Sequence, residues 1–318
     1  MQAVSILNDK LVLTDHPRLS LGRGEVRIQV CATAVNRADL AQRSGHYPPP
    51  PGVTETLGLE CSGLVIEVAH DVTFPRVGDQ VCALLAGGGY ATEVVCPATH
   101  TMLLPKGIDL QQAAAIPEVF TTAWLNLRRE GELENGERVI VHAAASGVGT
   151  AALQLCRVWG CPTLAVVGSV EKERYCRELG ADSTVDRHTR DWAETAQQWG
   201  RADVILDPVG GENLKANVLL LNSRGRLVNI GVMGGAEGTL PVGRLLVKRL
   251  KIVGSVLRSR AKDEKTDILK GLQAEVWPLF ESGEVRPIID SVFPLAKAEE
   301  AHARVASDQT VGKVLLLA

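Results

Sequence analysis

Residues 142–150 read HAAASGVGT and follow the apolar run Val139, Ile140, Val141. A buried strand that runs into a turn of small residues and then into a helix is the layout of a phosphate cradle. Backbone N–H groups at the helix start can there approach a pyrophosphate. The dinucleotide fingerprint G-x-G-x-x-G wants glycine at three fixed places, and this chain puts Ala144, Ser146 and Gly149 there. Small size is the physical requirement, and Ala144, Ala145, Ser146, Gly147 and Gly149 all meet it. A nucleophile elbow, G-x-S-x-G, would need glycine where Ala144 and Val148 stand, so Ser146 is a poor nucleophile. A tight turn without a ligand stays open as the plain alternative. On the cradle reading Ser146, Gly147, Val148 and Gly149 meet the pyrophosphate, mainly through their backbone.

The surrounding sequence supports an α/β fold. After about Pro117, VIVHA (139–143) leads into a helix with Val148, Ala151, Ala152 and Leu155 on one face. TLAVVG (163–168), a helix over 171–179, STVD, DVILD (203–207) and RLVNIG (226–231) continue the alternation. Strands alternating with helices imply a parallel, doubly wound sheet. Earlier in the chain Val26, Ile28 and Val30 alternate with polar residues, and LVIEV (64–68), QVCALL (80–85) and YATEVV (90–95) are further short strands. The tract Tyr47 to Gly52, YPPPPG, cannot enter a sheet interior and reads as a stiff loop. From about Ala261 come a long helix, IIDSVF (288–293), another helix and KVLLL (313–317). Their antiparallel-type strands are expected to rejoin the first domain.

Bulk properties exclude several classes. A chain of 318 residues, 45% hydrophobic and 22% charged, suits two domains. A net charge of −3 gives no footing for nucleic acid or an anionic membrane surface. The N-terminal stretch carries Asp9, Lys10, Asp15 and Arg18, with no apolar run fit for a signal peptide or membrane span, so the expectation is a cytoplasmic protein. Seven cysteines without a C-x-x-C pair point to free thiols, not to a disulfide framework or a zinc ribbon.

The strand after the cradle bears on the choice of nucleotide. An NAD site usually has Asp or Glu about 20 residues past the glycines, to hold the ribose 2′-hydroxyl. Here the strand ends in Val167-Gly168-Ser169, followed by Lys172. Ser169 can donate a hydrogen bond and Lys172 supplies charge, so a 2′-phosphate is welcome and NADPH is favoured over NADH. Another strand end, GVMGG (231–235), makes Gly231 and Met233 natural nicotinamide contacts.

Six stretches in order carry a family resemblance: VNRADLAQRSGHYPPPPG (35–52), LGLECSGLV (57–65), AAAIPE (113–118), SGVGTAALQL (146–155), GVMGG (231–235) and LRSR (257–260). With them the chain resembles the medium-chain dehydrogenase/reductase superfamily, and within it the zinc-free, zeta-crystallin-like quinone oxidoreductases, especially the tumour-suppressor-inducible branch. The resemblance implies a GroES-like, mostly β substrate domain (1–119 and 262–318), split by a Rossmann-type NADPH domain (120–261), and a homodimer. Zinc alcohol dehydrogenases of the superfamily hold metal with a Cys, a His and a further Cys or acid. The matching positions here are Asn36, Leu59 and, in the closest register, Glu118. One carboxylate cannot replace three ligands, so no metal site is expected.

That absence selects the substrate. Hydride transfer to a simple ketone makes an alkoxide whose conjugate acid is about as weak as water, at pKa ~15.7, so the site needs a Lewis acid or a proton relay. A quinone instead yields a phenolate-like anion, comparable to tyrosine at about 10. The expected function is therefore NADPH-dependent reduction of a quinone or activated enone. Rival readings are an enoyl or alkenal reductase, a non-catalytic NADPH-binding protein and a zinc alcohol dehydrogenase. The resemblance further implies Tyr47 beside the nicotinamide as a pocket wall or hydrogen-bond donor, and Thr122 on the cofactor. It places Leu257, Arg258 and Ser259 at the carboxamide and Lys313 as a final contact. Asn36 and Asp39 are candidates for lining the substrate pocket. One departure counts against strict NADPH preference: Asp186 stands where many relatives carry tyrosine, with Arg187 or His188 as compensating candidates.

Overall fold

The computed structural model describes all residues, 1–318. Two compact units emerge, Met1–Thr121 with Leu257–Ala318, and Thr122–Val256.

The first unit opens with a hairpin, β1 (Gln2–Leu7) and β2 (Lys10–Asp15), antiparallel. Neither strand alternates cleanly between buried and exposed positions, which is why the period-2 pattern first becomes legible at Val26. β3 (Glu25–Val35) is the spine, followed by α1 (Arg37–Arg43), β4 (Glu60–Val68), β5 (Gln80–Leu84), β6 (Glu93–Pro97) and β7 (Thr101–Leu103). Short helices α2 (Leu110–Ala113) and α3 (Pro117–Trp124) lead out of the unit. On one side of β3 its core is Val26, Ile28, Val30, Cys61, Val65, Val81 and Ala83. The tract 47–52 contains no strand.

The second unit is a six-stranded, wholly parallel sheet. Its elements run β8 (Val139–His142), α4 (Gly147–Val158), β9 (Thr163–Val167), α5 (Val170–Glu178), β10 (Ser183–Asp186), α6 (Trp192–Trp199), β11 (Ala202–Asp207), α7 (Asn213–Leu220), β12 (Leu221–Asn229), α8 (Val242–Lys248) and β13 (Lys251–Gly254). The spatial order is β10-β9-β8-β11-β12-β13, the dinucleotide-binding order with its switch point between β8 and β11. The strands are near-continuously buried, as expected of a sheet covered on both faces.

The chain then returns to the first unit with α9 (Lys262–Glu281), β14 (Ile289–Pro294), α10 (Ala298–Ala306) and β15 (Lys313–Leu317). β15 joins β3 antiparallel, but β14 pairs with β15 in parallel. The intervening α10 makes the pair a crossover unit, so the expectation of purely antiparallel strands in the return segment is corrected. No helix is long and apolar enough to cross a membrane.

Candidate functional site

In the second unit the cradle forms at the carboxyl end of β8. Ala143 turns through a left-handed backbone, φ 48°, and Ser146 caps α4 by accepting the Gly149 N–H at 3.1 Å. A methyl group on Gly149 would lie 2.4 Å from the Ala144 carbonyl oxygen, so only glycine lets the helix start pack this closely on the strand end. Two of the fingerprint's glycines are thus dispensable and the third is not. At the facing strand end, Gly210 and Gly211 take positive φ and press backbone-to-backbone on the loop 231–235. A methyl on Gly211 would meet the Gly234 carbonyl oxygen at 2.4 Å, and one on Gly231 the Pro208 carbonyl oxygen at 2.6 Å. This leaves Met233 half exposed. Thr122 opens the unit, its carbonyl receiving the Asn126 amide at 2.8 Å.

A buried polar chain, invisible in the sequence, braces the two strand ends. The His142 Nε2 lies 2.8 Å from the Asn217 amide oxygen, and the Asn217 amide donates to Asp207 at 2.8 Å. Asp207 also accepts the Val209 and Gly210 N–H groups, fixing the start of the glycine loop. Burial depresses the basicity of His142. The ring serves the scaffold through its Asn217 contact.

At the end of β9, Ser169 caps α5 by accepting the Lys172 N–H at 3.2 Å, which puts both residues on one turn. Asp186 is 4% exposed and its carboxylate folds back to the His188 N–H at 3.0 Å, so it offers no ribose hydrogen bond to the outside.

In the first unit a separate polar cluster surrounds Asn36, the N-cap of α1. The Lys313 ammonium, 3% exposed, donates to the Val35 carbonyl at 2.8 Å and to Asn36 Oδ1 at 2.6 Å, and pairs with Glu60 at 2.8 Å. Glu60 is fully buried and also accepts the Asn36 amide at 3.0 Å and the Glu118 N–H at 2.8 Å. The other contact of that amide is the Ala34 carbonyl, at 3.3 Å. Both ends of the Asn36 side chain are therefore engaged inside the chain, and so is the ammonium of Lys313. Lys313 is buried, while Asn36 is partly exposed. Glu118, beside the charge of Glu60, is pushed up to about 8, burial being the larger cause.

Asp39 is fully buried and accepts the Asn36 N–H at 2.8 Å, the Gly58 N–H at 3.0 Å and the Tyr90 hydroxyl at 3.2 Å. Burial pushes its carboxyl up to about 6 despite these donors. It staples α1 to the 57–58 and 89–90 turns and does not line a pocket.

Tyr47 differs from these residues. Half buried, it has a hydroxyl with no hydrogen-bond partner in the chain, and a phenol pushed up by burial and by Glu118. Arg258, 4% exposed, holds the tract around it. Its guanidinium donates to the Ala86 carbonyl at 2.7 Å, the Gln42 side chain at 2.8 Å and the Tyr47 carbonyl at 3.4 Å, and lies 5.3 Å from the Tyr47 ring centroid. The buried Lys265 ammonium donates to the Arg258 carbonyl at 2.6 Å. Leu257 is buried and Ser259 is exposed beside it. Sequence reasoning named Tyr47 and Arg258 but missed Gln42, Glu60 and Lys265. Nothing in their local sequence distinguishes them from surface polar residues.

Two family models match the chain: an alcohol dehydrogenase GroES-like domain over residues 22–106 and a zinc-binding dehydrogenase over residues 147–273. A quinone oxidoreductase of Pseudomonas aeruginosa is 34% identical across 95% of this chain and 94% of its own length. The chain belongs to the medium-chain dehydrogenase/reductase superfamily. It is an oxidoreductase of that superfamily, with the GroES-like and Rossmann-type architecture described above. A solved Escherichia coli quinone oxidoreductase complexed with NADPH aligns with TM-score 0.89 at 26% identity, over 100% of this chain and 99% of that one. A Danio rerio synaptic vesicle membrane protein VAT-1 homolog is 31% identical over 94% of this chain, and the chain spans 65% of that relative. One of the matching models describes zinc-binding dehydrogenases, yet the donors at the three compared positions do not suit zinc. Leu59 has no donor atom, and the Asn36 oxygen already receives an ammonium.

Proposed function

We propose that this oxidoreductase is a zinc-independent, NADPH-dependent reductase of quinones and activated enones. The observation that carries the reading is the Lys313 ammonium at 2.6 Å from Asn36 and 2.8 Å from Glu60. A fixed, internally paired cation takes the oxygen donors that a Lewis-acid metal would need. The acceptor must then tolerate the negative charge it gains, as a quinone does.

The Ser146–Gly149 turn suits the pyrophosphate, Ser169 and Lys172 the 2′-phosphate, and Gly231, Met233 and Thr122 further cofactor contacts. Bound NADPH would supply the hydride. Arg258 holds the Tyr47 segment, and the Tyr47 hydroxyl is available to donate to an acceptor oxygen and orient it. Orientation at near-attack distance can lower a barrier by about 7–11 kcal/mol.

A homodimer fits the same reading. β13 is an edge strand of the parallel sheet, and on the neighbouring α8 Val242, Leu246 and Val247 are 63%, 76% and 75% exposed.

The test is a turnover panel on the purified protein, with NADPH and NADH against ortho- and para-quinones, acyclic enones, aldehydes and simple alcohols. Quinone turnover favouring NADPH and insensitive to chelator is expected. Preference for acyclic enones would move the assignment to alkenal reductase. Brisk, chelator-sensitive alcohol oxidation would refute it.

A further inference from the structure

We infer that Arg187, in the loop after β10, is a specificity-determining residue that grips the ribose 2′-phosphate beside the Ser169 and Lys172 turn. This rests on the NADPH reading above and deepens it.

Gly168 follows β9 and immediately precedes Ser169. A methyl group placed on Gly168 would lie 3.1 Å from one terminal nitrogen of Arg187, 3.4 Å from its guanidinium carbon and 3.5 Å from the other nitrogen. The guanidinium is therefore laid against the glycine, next to the Ser169 turn. The Arg187 N–H donates to the Val167 carbonyl at 3.0 Å, which anchors the loop to the same strand end.

The three arginines of this region divide their work unequally. Glu173 receives Arg177 at 2.9 Å and Arg190 at 2.6 Å, and its remaining capacity goes to the Thr184 hydroxyl and the Asp186 N–H. Arg187 is exposed, and beyond its backbone bond to Val167 its guanidinium enters no hydrogen bond or ion pair within the chain. Of the carboxylates nearby, Asp186 is buried and turned inward onto the His188 N–H, Glu173 is paired with Arg177 and Arg190, and Glu171 stands exposed in the first turn of α5. The inward turn of Asp186 directs the following residue outward. A planar cation held at a strand end without an internal partner matches a phosphate monoester, which offers paired oxygens and a second ionisation near pKa ~6.

The experiment is calorimetric titration of the full-length protein with NADPH and with NADH, in wild type, R187A, R187K and R187E. The expected result for R187A is NADPH binding weakened about tenfold to a hundredfold, with NADH changed less than about threefold. R187K should recover part of the loss, since a point charge replaces a fork. R187E should bind NADH more tightly than NADPH. In wild type the NADPH advantage should grow between pH 5.5 and 7.5, as the monoester takes its second charge. Equal loss for both nucleotides in R187A would mean that the guanidinium stacks on a common part such as the adenine, and would overturn the assignment. An unchanged NADPH affinity would do so as well. A wild-type protein that binds neither nucleotide would instead refute the cofactor reading itself, while leaving the fold intact.

Discussion

The two units prepare their chemistry by opposite means. The second unit works with backbone: small residues, a serine cap and a glycine that cannot be replaced without moving the Ala144 carbonyl. The first unit works with buried charge: Lys313, Glu60, Asp39 and Arg258 are all under 5% exposed and spend their polar atoms on one another or on turns. A backbone site tolerates drift in side-chain identity, as Ala144 and Ser146 at fingerprint positions demonstrate. A buried charge cluster tolerates much less, because each member is compensated by one specific partner.

The sharpest way to break that comparison is at Lys313. Lys313→Met leaves Glu60 buried without its cationic partner. The expected cost is about 3–5 kcal/mol, read as a lowered midpoint in denaturant melts. Glu60→Gln added to the same chain should restore much of the loss, since it removes the orphaned charge. A single Met variant as stable as the wild type would show that the cluster is far less coupled than its distances imply.

How much of this was legible in the sequence follows from the same contrast. The parallel sheet, its strand positions and the Ser146–Gly149 turn lie in continuous stretches whose pattern local rules can decode. Lys313 begins a strand reading KVLLL, where it looks like a surface residue, and its partner Asn36 is 277 positions away. The resemblance to relatives marked Lys313 and Asn36 as site residues, but only the three-dimensional structure shows that they face each other. Arg258 likewise joins Gln42 across 216 positions. Long-range charge pairing has no period, and it was the part of the site that remained hidden.

Glu118 offers a pH test of the charged unit. Its carboxyl rises from 4.5 to about 8, and that of Asp39 from 3.8 to about 6. In both cases the folded state holds its proton more tightly than the unfolded chain. Their contribution is fully present below about pH 4 and is lost as pH rises through 6 for Asp39 and through 8 for Glu118. Carboxylates held below their usual range, such as Asp290 beside Arg304, act in the opposite direction at acid pH. The difference between wild type and Glu118→Gln isolates one group. The Gln variant should be the more stable at pH 8 by about 4 kcal/mol, with the gap closing toward pH 5. Parallel stability curves for the two proteins across that range would show that Glu118 ionises freely.

The smallest expected effect belongs to the backbone unit. Gly149→Ala must move either the start of α4 or the Ala144 carbonyl, because the added methyl would sit 2.4 Å from that oxygen. Overpacking of this kind costs about 1–3 kcal/mol, and here part of it falls on the geometry of the turn that receives the pyrophosphate. NADPH and NADH should therefore weaken together, about tenfold each, unlike the selective loss expected at Arg187. The charged cluster lies wholly in the other unit, so the pH dependence attributed to Glu118 should be unchanged in this variant. Titration with both nucleotides, alongside melts at pH 5 and pH 8, checks both halves. A Gly149→Ala protein with altered pH dependence would mean that the two means of organisation are coupled, and the contrast between the units would fail.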